Sequence, residues 1–205
     1  LGKLNFGYDF MIGNGISSTD VYHDSVVPSF TGSIHIKPKD GMRVGISYYW
    51  DDLHENTPGV HSGHNTAFTI PDAQKYQGPV KFRLTSFSFA SFREKFEFLN
   101  ETGFNTSTTD STGTSKNFSQ YIYAGVNVTE KSTPYFLFDY IDVADNDIHV
   151  YPLEKLKIAL GYRYSFNHLL NVKVQLEKMW EFEHFGHEHR AFYGPFLRVQ
   201  LAYGF

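Results

Sequence analysis

The strongest constraint on this chain is a period of two in its hydrophobic residues. In residues 196–205, FLRVQLAYGF, Leu197, Val199, Leu201, Tyr203 and Phe205 share one side, while Arg198, Gln200, Ala202 and Gly204 share the other. Successive side chains of a β-strand point to opposite faces, whereas a helix repeats every three or four positions. The segment is therefore predicted to be a strand with large apolar groups on one face and polar or tiny groups on the other. Its end on Phe205, a bulky apolar residue, fits a strand that closes a barrel with its outer face in lipid.

The alternation recurs along the chain. Residues 4–12 set Leu4, Phe6, Tyr8, Phe10 and Ile12 against Asn5, Gly7, Asp9 and Met11. Residues 30–37 and 42–50 repeat it across Pro38-Lys39-Asp40-Gly41, a turn in which proline presets one dihedral and glycine accepts a positive φ. Further strands are predicted over 79–90, 95–104, 117–128, 134–143, 156–166 and 172–182, which with the last segment makes ten. The phase is disturbed at Phe87 and Phe89, which predicts a β-bulge or an aromatic girdle. Residues 105–116, almost entirely Thr, Ser, Asp, Asn and Gly, are predicted to form a loop. Connections after odd strands are mostly long and those after even strands short, as in a barrel with short inner turns and long outer loops. Aromatic residues collect near strand ends, at Tyr48–Trp50, Trp180 with Phe182, Phe192 with Tyr193, and Tyr203 with Phe205, where rings sit at a lipid–water boundary.

Composition narrows the class. Aromatic residues make up 18 % of the 205 residues, with 20 Phe and 14 Tyr. Mean hydropathy is −0.35, which on its own describes a water-soluble chain. A transmembrane barrel has the same average, because every second residue faces water. No apolar run reaches the ~18 residues of a spanning helix. Cysteine is absent, which excludes disulfides and thiolate chemistry. A net charge of −4 argues against nonspecific nucleic-acid binding. The chain opens at Leu1 directly on a strand pattern, so a processed chain or a piece of a longer one is expected. The expected architecture is all-β, an antiparallel transmembrane β-barrel of about ten strands occupying residues 1–205 as one outer-membrane domain, or the C-terminal part of a larger barrel.

Two stretches carry a resemblance. The final strand resembles the C-terminal targeting strand of bacterial outer-membrane proteins, which ends in Phe after alternating apolar positions. Gly13-Asn14-Gly15, an Asp-bearing loop, Ser29-Phe30-Thr31-Gly32, the turn at Asp40-Gly41 and the strand Val44-Gly45-Ile46-Ser47-Tyr48-Tyr49 together look like Gram-negative porins. These include the phosphate-selective type and the porins of Bacteroidota. The likeness covers about a quarter of the chain besides the last strand. It implies a cell outer-membrane location, lipid as the surrounding partner, and passive diffusion of small polar or anionic solutes without catalysis or cofactor. A homo-oligomer or a partner chain is compatible with it.

If the apolar face meets lipid, the other face lines a lumen. On the predicted phases that face carries Lys37, Arg43, Lys81, Arg83, Lys157, Arg163, Lys173 and Arg198 against Asp9, Glu97 and Glu177. Such a basic lining would raise the local anion concentration, or its cations would pair with acids for rigidity. Alternation alone does not say which face is inside, so a soluble lipocalin-like ligand-binding barrel fits the same periods. Histidines cluster at His61 with His64 and at His184, His187 and His189, spacings that suit zinc or copper, although solvated loops are the simpler reading and no metal is assigned. Asp51-Asp52 and Asp147-Ile148-His149 resemble the acidic pair and Asp-x-His of omptin-type outer-membrane proteases. The acidic pair is adjacent here rather than separated by one residue, which puts that likeness in doubt.

Overall fold

The computed structural model describes residues 5–13, 28–53, 79–147, 154–182 and 192–203. They form ten strands: β1 (Asn5–Gly13), β2 (Ser29–Lys37), β3 (Met42–Leu53), β4 (Val80–Phe92), β5 (Phe96–Thr109), β6 (Gly113–Val126), β7 (Ser132–Asp142), β8 (Glu154–Ser165), β9 (Leu170–Phe182) and β10 (Phe192–Tyr203). All ten lie in one antiparallel sheet in sequence order, with no helix among the described residues. Among the described residues each strand pairs only with its neighbours in the chain, so β1 and β10 are the two edges and the sheet is not closed.

The four connections at one end of the sheet, β2–β3, β4–β5, β6–β7 and β8–β9, span three to five residues. At the first of them Gly41 has φ +73°, and a Cβ there would stand 2.2 Å from the carbonyl oxygen of Phe92. Only glycine supplies both the left-handed backbone and the room for that strand crossing. At the other end, four connections run from nine to 26 residues, but the one between β5 and β6 is only three.

That short connection corrects the sequence reading, which placed a loop over 105–116. Here β5 continues to Thr109, β6 begins at Gly113, and Asp110-Ser111-Thr112 makes the turn. Turn-type composition misled because threonine also favours strands, where hydroxyls bond across the ladder. The Thr108 and Thr114 hydroxyls lie 3.0 Å apart, and Ser115 donates to the Ser107 carbonyl at 3.2 Å. Of the two expectations for Phe87 and Phe89, a bulge or an aromatic girdle, the bulge is absent. The pairing of β3 with β4 is continuous from Met42↔Ser91 to Leu53↔Val80. The strand is apolar on both faces, with Val80, Phe82 and Leu84 on one and Phe87 and Phe89 on the other. The irregularity instead falls between Tyr193 and Phe196, where β10 meets β9. Leu4 and Phe205 lie outside the described residues.

The register assigns every strand residue to a face. One face carries Phe6, Tyr8, Phe10, Ile12, Ile34, Val44, Ile46, Tyr48, Phe87, Phe104, Phe136, Leu160, Leu176, Leu197, Val199 and Leu201, which the cross-strand register places on the same side. These side chains are exposed; Tyr8 is 74 % and Leu197 70 % accessible. Two aromatic chains cross this face. Phe10, Phe30 and Trp50 follow one another at centroid distances of 6.3 and 4.9 Å. Phe87, Phe104, Phe118 and Tyr140 follow at 6.3, 5.4 and 6.1 Å. Burial is inverted on the opposite side: among the described residues ten polar or charged residues are buried against five apolar ones. A water-soluble fold buries the reverse mixture.

Across the polar face, Tyr135 of β7 fills the place where Gly161 of β8 has no side chain. A Cβ on Gly161 would stand 2.1 Å from the tyrosine ring. Gly161→Ala is expected to destabilise the fold by about 1–3 kcal/mol through overpacking. The penalty should shrink in a Tyr135→Ala background, giving a measurable coupling in a double-mutant unfolding cycle.

Candidate functional site

The polar face is built from alternate positions of all ten strands, and its curvature follows from contacts that span several of them. Arg163 of β8 donates to both carboxylate oxygens of Glu97 on β5, at 3.0 and 2.5 Å. Three strand spacings separate these elements, about 14 Å on a flat sheet. Side chains stand roughly perpendicular to their sheet, so they meet over that span only where the face curls inward. Tyr135 of β7 likewise reaches Gln175 of β9 at 3.1 Å. The polar face is thus the concave one and the apolar face the convex one.

The two halves of the concave face are filled differently. Over β6 to β10 it is packed with long polar side chains. Tyr123 donates to Glu97 at 2.9 Å, Arg163 also donates to Thr133 at 3.0 Å, and Thr133 donates to Asn127 at 2.6 Å. Lys157 pairs with Asp139 at 2.6 Å and Arg198 with Glu177 at 2.6 Å, while Gln175 donates to Glu177 at 2.6 Å. Over β2 to β6, one cross-strand row reads Ser33, Ser47, Ser86, Gly103 and Ser119. At the β2–β4 end of this row Ser33 and Ser47, with Gly45, Ser88 and Ala90, border a groove of about 280 Å³ that His35, Arg43 and Leu99 also line.

The cations predicted to line this face separate into two groups. Lys37, Arg43, Lys157, Arg163, Lys173 and Arg198 do occupy it. Lys81 and Arg83 do not, which corrects their assignment. Lys81 pairs with Asp52 and Arg83 with Trp50 on the convex side. The Arg83 guanidinium lies 4.9 Å from the centre of the Trp50 ring, forms a 2.7 Å ion pair with Asp52, and donates to the Asp51 carbonyl at 2.7 Å. The error followed from taking Val80, Phe82 and Leu84 as the outer series, when they are the inner one.

The acidic motifs are also placed. Asp51 and Asp52 are neighbours on β3 and therefore project to opposite faces. Asp51 is buried and accepts from the Tyr49 hydroxyl at 2.7 Å. Asp147 is fully buried and accepts from the Ser115 hydroxyl at 2.7 Å and the Asn117 amide at 2.6 Å, tying residues 143–147 to β6. His149 and the clusters at His61, His64, His184, His187 and His189 lie outside the described residues. Among the described residues no three His, Asp or Glu side chains gather as a metal-binding group. Sequence reasoning missed the groove, although Gly45, Ser33, Ser47 and Ser88 each carried its signal as a tiny residue at an inward position.

The Arg163–Glu97 contact should be a main determinant of stability. Arg163→Met leaves a buried carboxylate without its cation and is expected to cost about 3–5 kcal/mol. Glu97→Gln, which keeps hydrogen-bonding capacity, should cost less. Urea unfolding of the detergent-solubilised protein measures both. Comparison with family models, with curated proteins and with solved structures returns no match to this chain.

Proposed function

We propose that this chain is a porin-type β-barrel of the outer membrane, passing small polar or anionic solutes by diffusion through its polar concave side. The observation that carries this reading is the inverted distribution of side chains. Among the described residues a largely apolar convex face, interrupted by polar side chains such as Asn100, Thr102 and Gln120, has no second layer of protein against it, and buried groups on the other side are mostly polar. A lipid-facing strand needs this pattern, with aromatic rings flanking the apolar band. The rings of Phe10, Phe30 and Trp50 and of Phe87, Phe104, Phe118 and Tyr140 fit such girdles. Membrane strands also require every backbone group to be paired, so the reading includes closure of the β1 and β10 edges, with each other or with further strands.

A soluble ligand-binding barrel would place its apolar side chains on the concave face, the reverse of what the register gives here. For the protease alternative, the opposed directions of Asp51 and Asp52 remove the shared carboxylate site on which that likeness depended. The concave cations support diffusion of anions only in part, because Arg163, Arg198 and Lys157 are each held by an acid.

Two measurements test the proposal. In planar lipid bilayers the purified protein should give discrete conductance steps, and their absence at all voltages would sink the pore reading. Neighbouring positions of β10 test the membrane separately. Val199→Arg on the convex face is expected to cost about 2–4 kcal/mol of insertion free energy near the bilayer centre. Gln200→Arg on the concave face should insert into lipid vesicles as the unaltered protein does. Equal insertion of both variants, or a protein that stays dispersed without detergent, would overturn the membrane assignment.

A further inference from the structure

We propose that the groove on β2, β3 and β4 is a binding subsite for a small oxyanion, with Arg43 as its anchor. This rests on the polar face being accessible to solutes, as in the pore reading. Arg43 differs from the other arginines of the concave face in its partner. Arg163 holds Glu97 and Arg198 holds Glu177, so both charges are matched. The Arg43 guanidinium instead lies 3.1 Å from Nδ1 of His35. Arginine has donors only, so the ring nitrogen accepts, and among the described residues no carboxylate matches the positive charge.

The seat of His35 is built into the sheet. Gly7 is paired with His35 across β1 and β2, and a Cβ there would stand 2.4 Å from the ring Nε2. The missing side chain admits the imidazole, and the imidazole in turn fixes one arm of the guanidinium. Among the described residues its remaining N–H groups meet no acid and can fork onto a pair of oxygens, the geometry that suits carboxylate, sulfate and phosphate. Next to it, the groove carries Ser47 and Ser88 beside the small residues Gly45 and Ala90, with Leu99 at its side. A guanidinium beside hydroxyl donors is oxyanion-binding chemistry. Lys37, exposed two positions from His35 on the same face, adds positive charge. Two acids flank the groove and limit the charge it tolerates. Asp9 accepts from Ser33 at 2.9 Å, and Glu101, opposite Ser88, accepts from Ser86 at 3.4 Å. The volume, about 280 Å³, is below the usual range for drug-sized ligands, so the occupant is small.

Titration calorimetry on the detergent-solubilised protein, with inorganic phosphate or sulfate added over a chloride background, tests the subsite. Saturable binding is expected for the unaltered chain. Arg43→Gln should weaken it by about tenfold or more, the loss of one charge-assisted bond. Ser88→Val fills the groove without changing charge and should weaken it as well. Lys39→Gln removes the same charge from the neighbouring turn and should leave affinity unchanged, and far-UV circular dichroism verifies that each variant is folded. No binding by the unaltered chain, equal binding by Arg43→Gln, or equal weakening by Lys39→Gln would each overturn the subsite. Bilayer recordings keep the two readings apart. Binding without conductance defeats the pore and leaves the subsite standing, whereas conductance without phosphate binding defeats the subsite alone.

Discussion

A single sheet with one apolar and one polar side has nothing of its own to cover the apolar side, and the rest of the structure depends on that imbalance. In a sandwich or an α/β fold a second layer would take up Phe6, Tyr8, Phe10, Leu197, Val199 and Leu201. Here no helix and no second sheet is present among the described residues to do so, and these side chains remain exposed. The hydrophobic effect therefore acts outward, toward whatever apolar medium surrounds the convex face. Lipid is the medium that the pore proposed for this chain requires.

Cohesion on the concave side has a different origin. Contacts there are hydrogen-bonded and charged, and they reach over intervening strands, as Arg163 does to Glu97 and Tyr135 to Gln175. Such contacts hold the curvature in the half where they occur. Where the inward residues are serine and glycine, no contact among the described residues spans the face and a groove stays open. The same sheet thus has a filled half and an accessible half. The division follows from side-chain size rather than from any change in backbone pairing.

Much of the fold was legible in the sequence because a period of two is a direct consequence of strand geometry. The positions of the ten strands, the turn at Pro38–Gly41 and the apolar series of the last strand all follow from local pattern and turn chemistry. Two local readings failed for the same reason, that composition is ambiguous. Thr and Ser over 105–116 suit a loop or a solvated strand end, and only their cross-strand partners decide. Val80, Phe82 and Leu84 are as apolar as Phe87 and Phe89, so β4 has no preferred phase of its own. Its neighbour β3, whose alternation is clean from Met42 to Trp50, sets it through the ladder, and Lys81 and Arg83 turn outward as a result.

By itself the sequence determined an all-β chain of about ten antiparallel strands with one apolar and one polar series of residues, because strand periodicity and turn preferences are local. Tertiary structure alone decided which series is concave, which cations meet acids, and that Arg43 stands with His35 beside an open groove. Those outcomes depend on register across several strands and on side chains far apart in the chain, such as Glu97 and Arg163, which no local pattern relates.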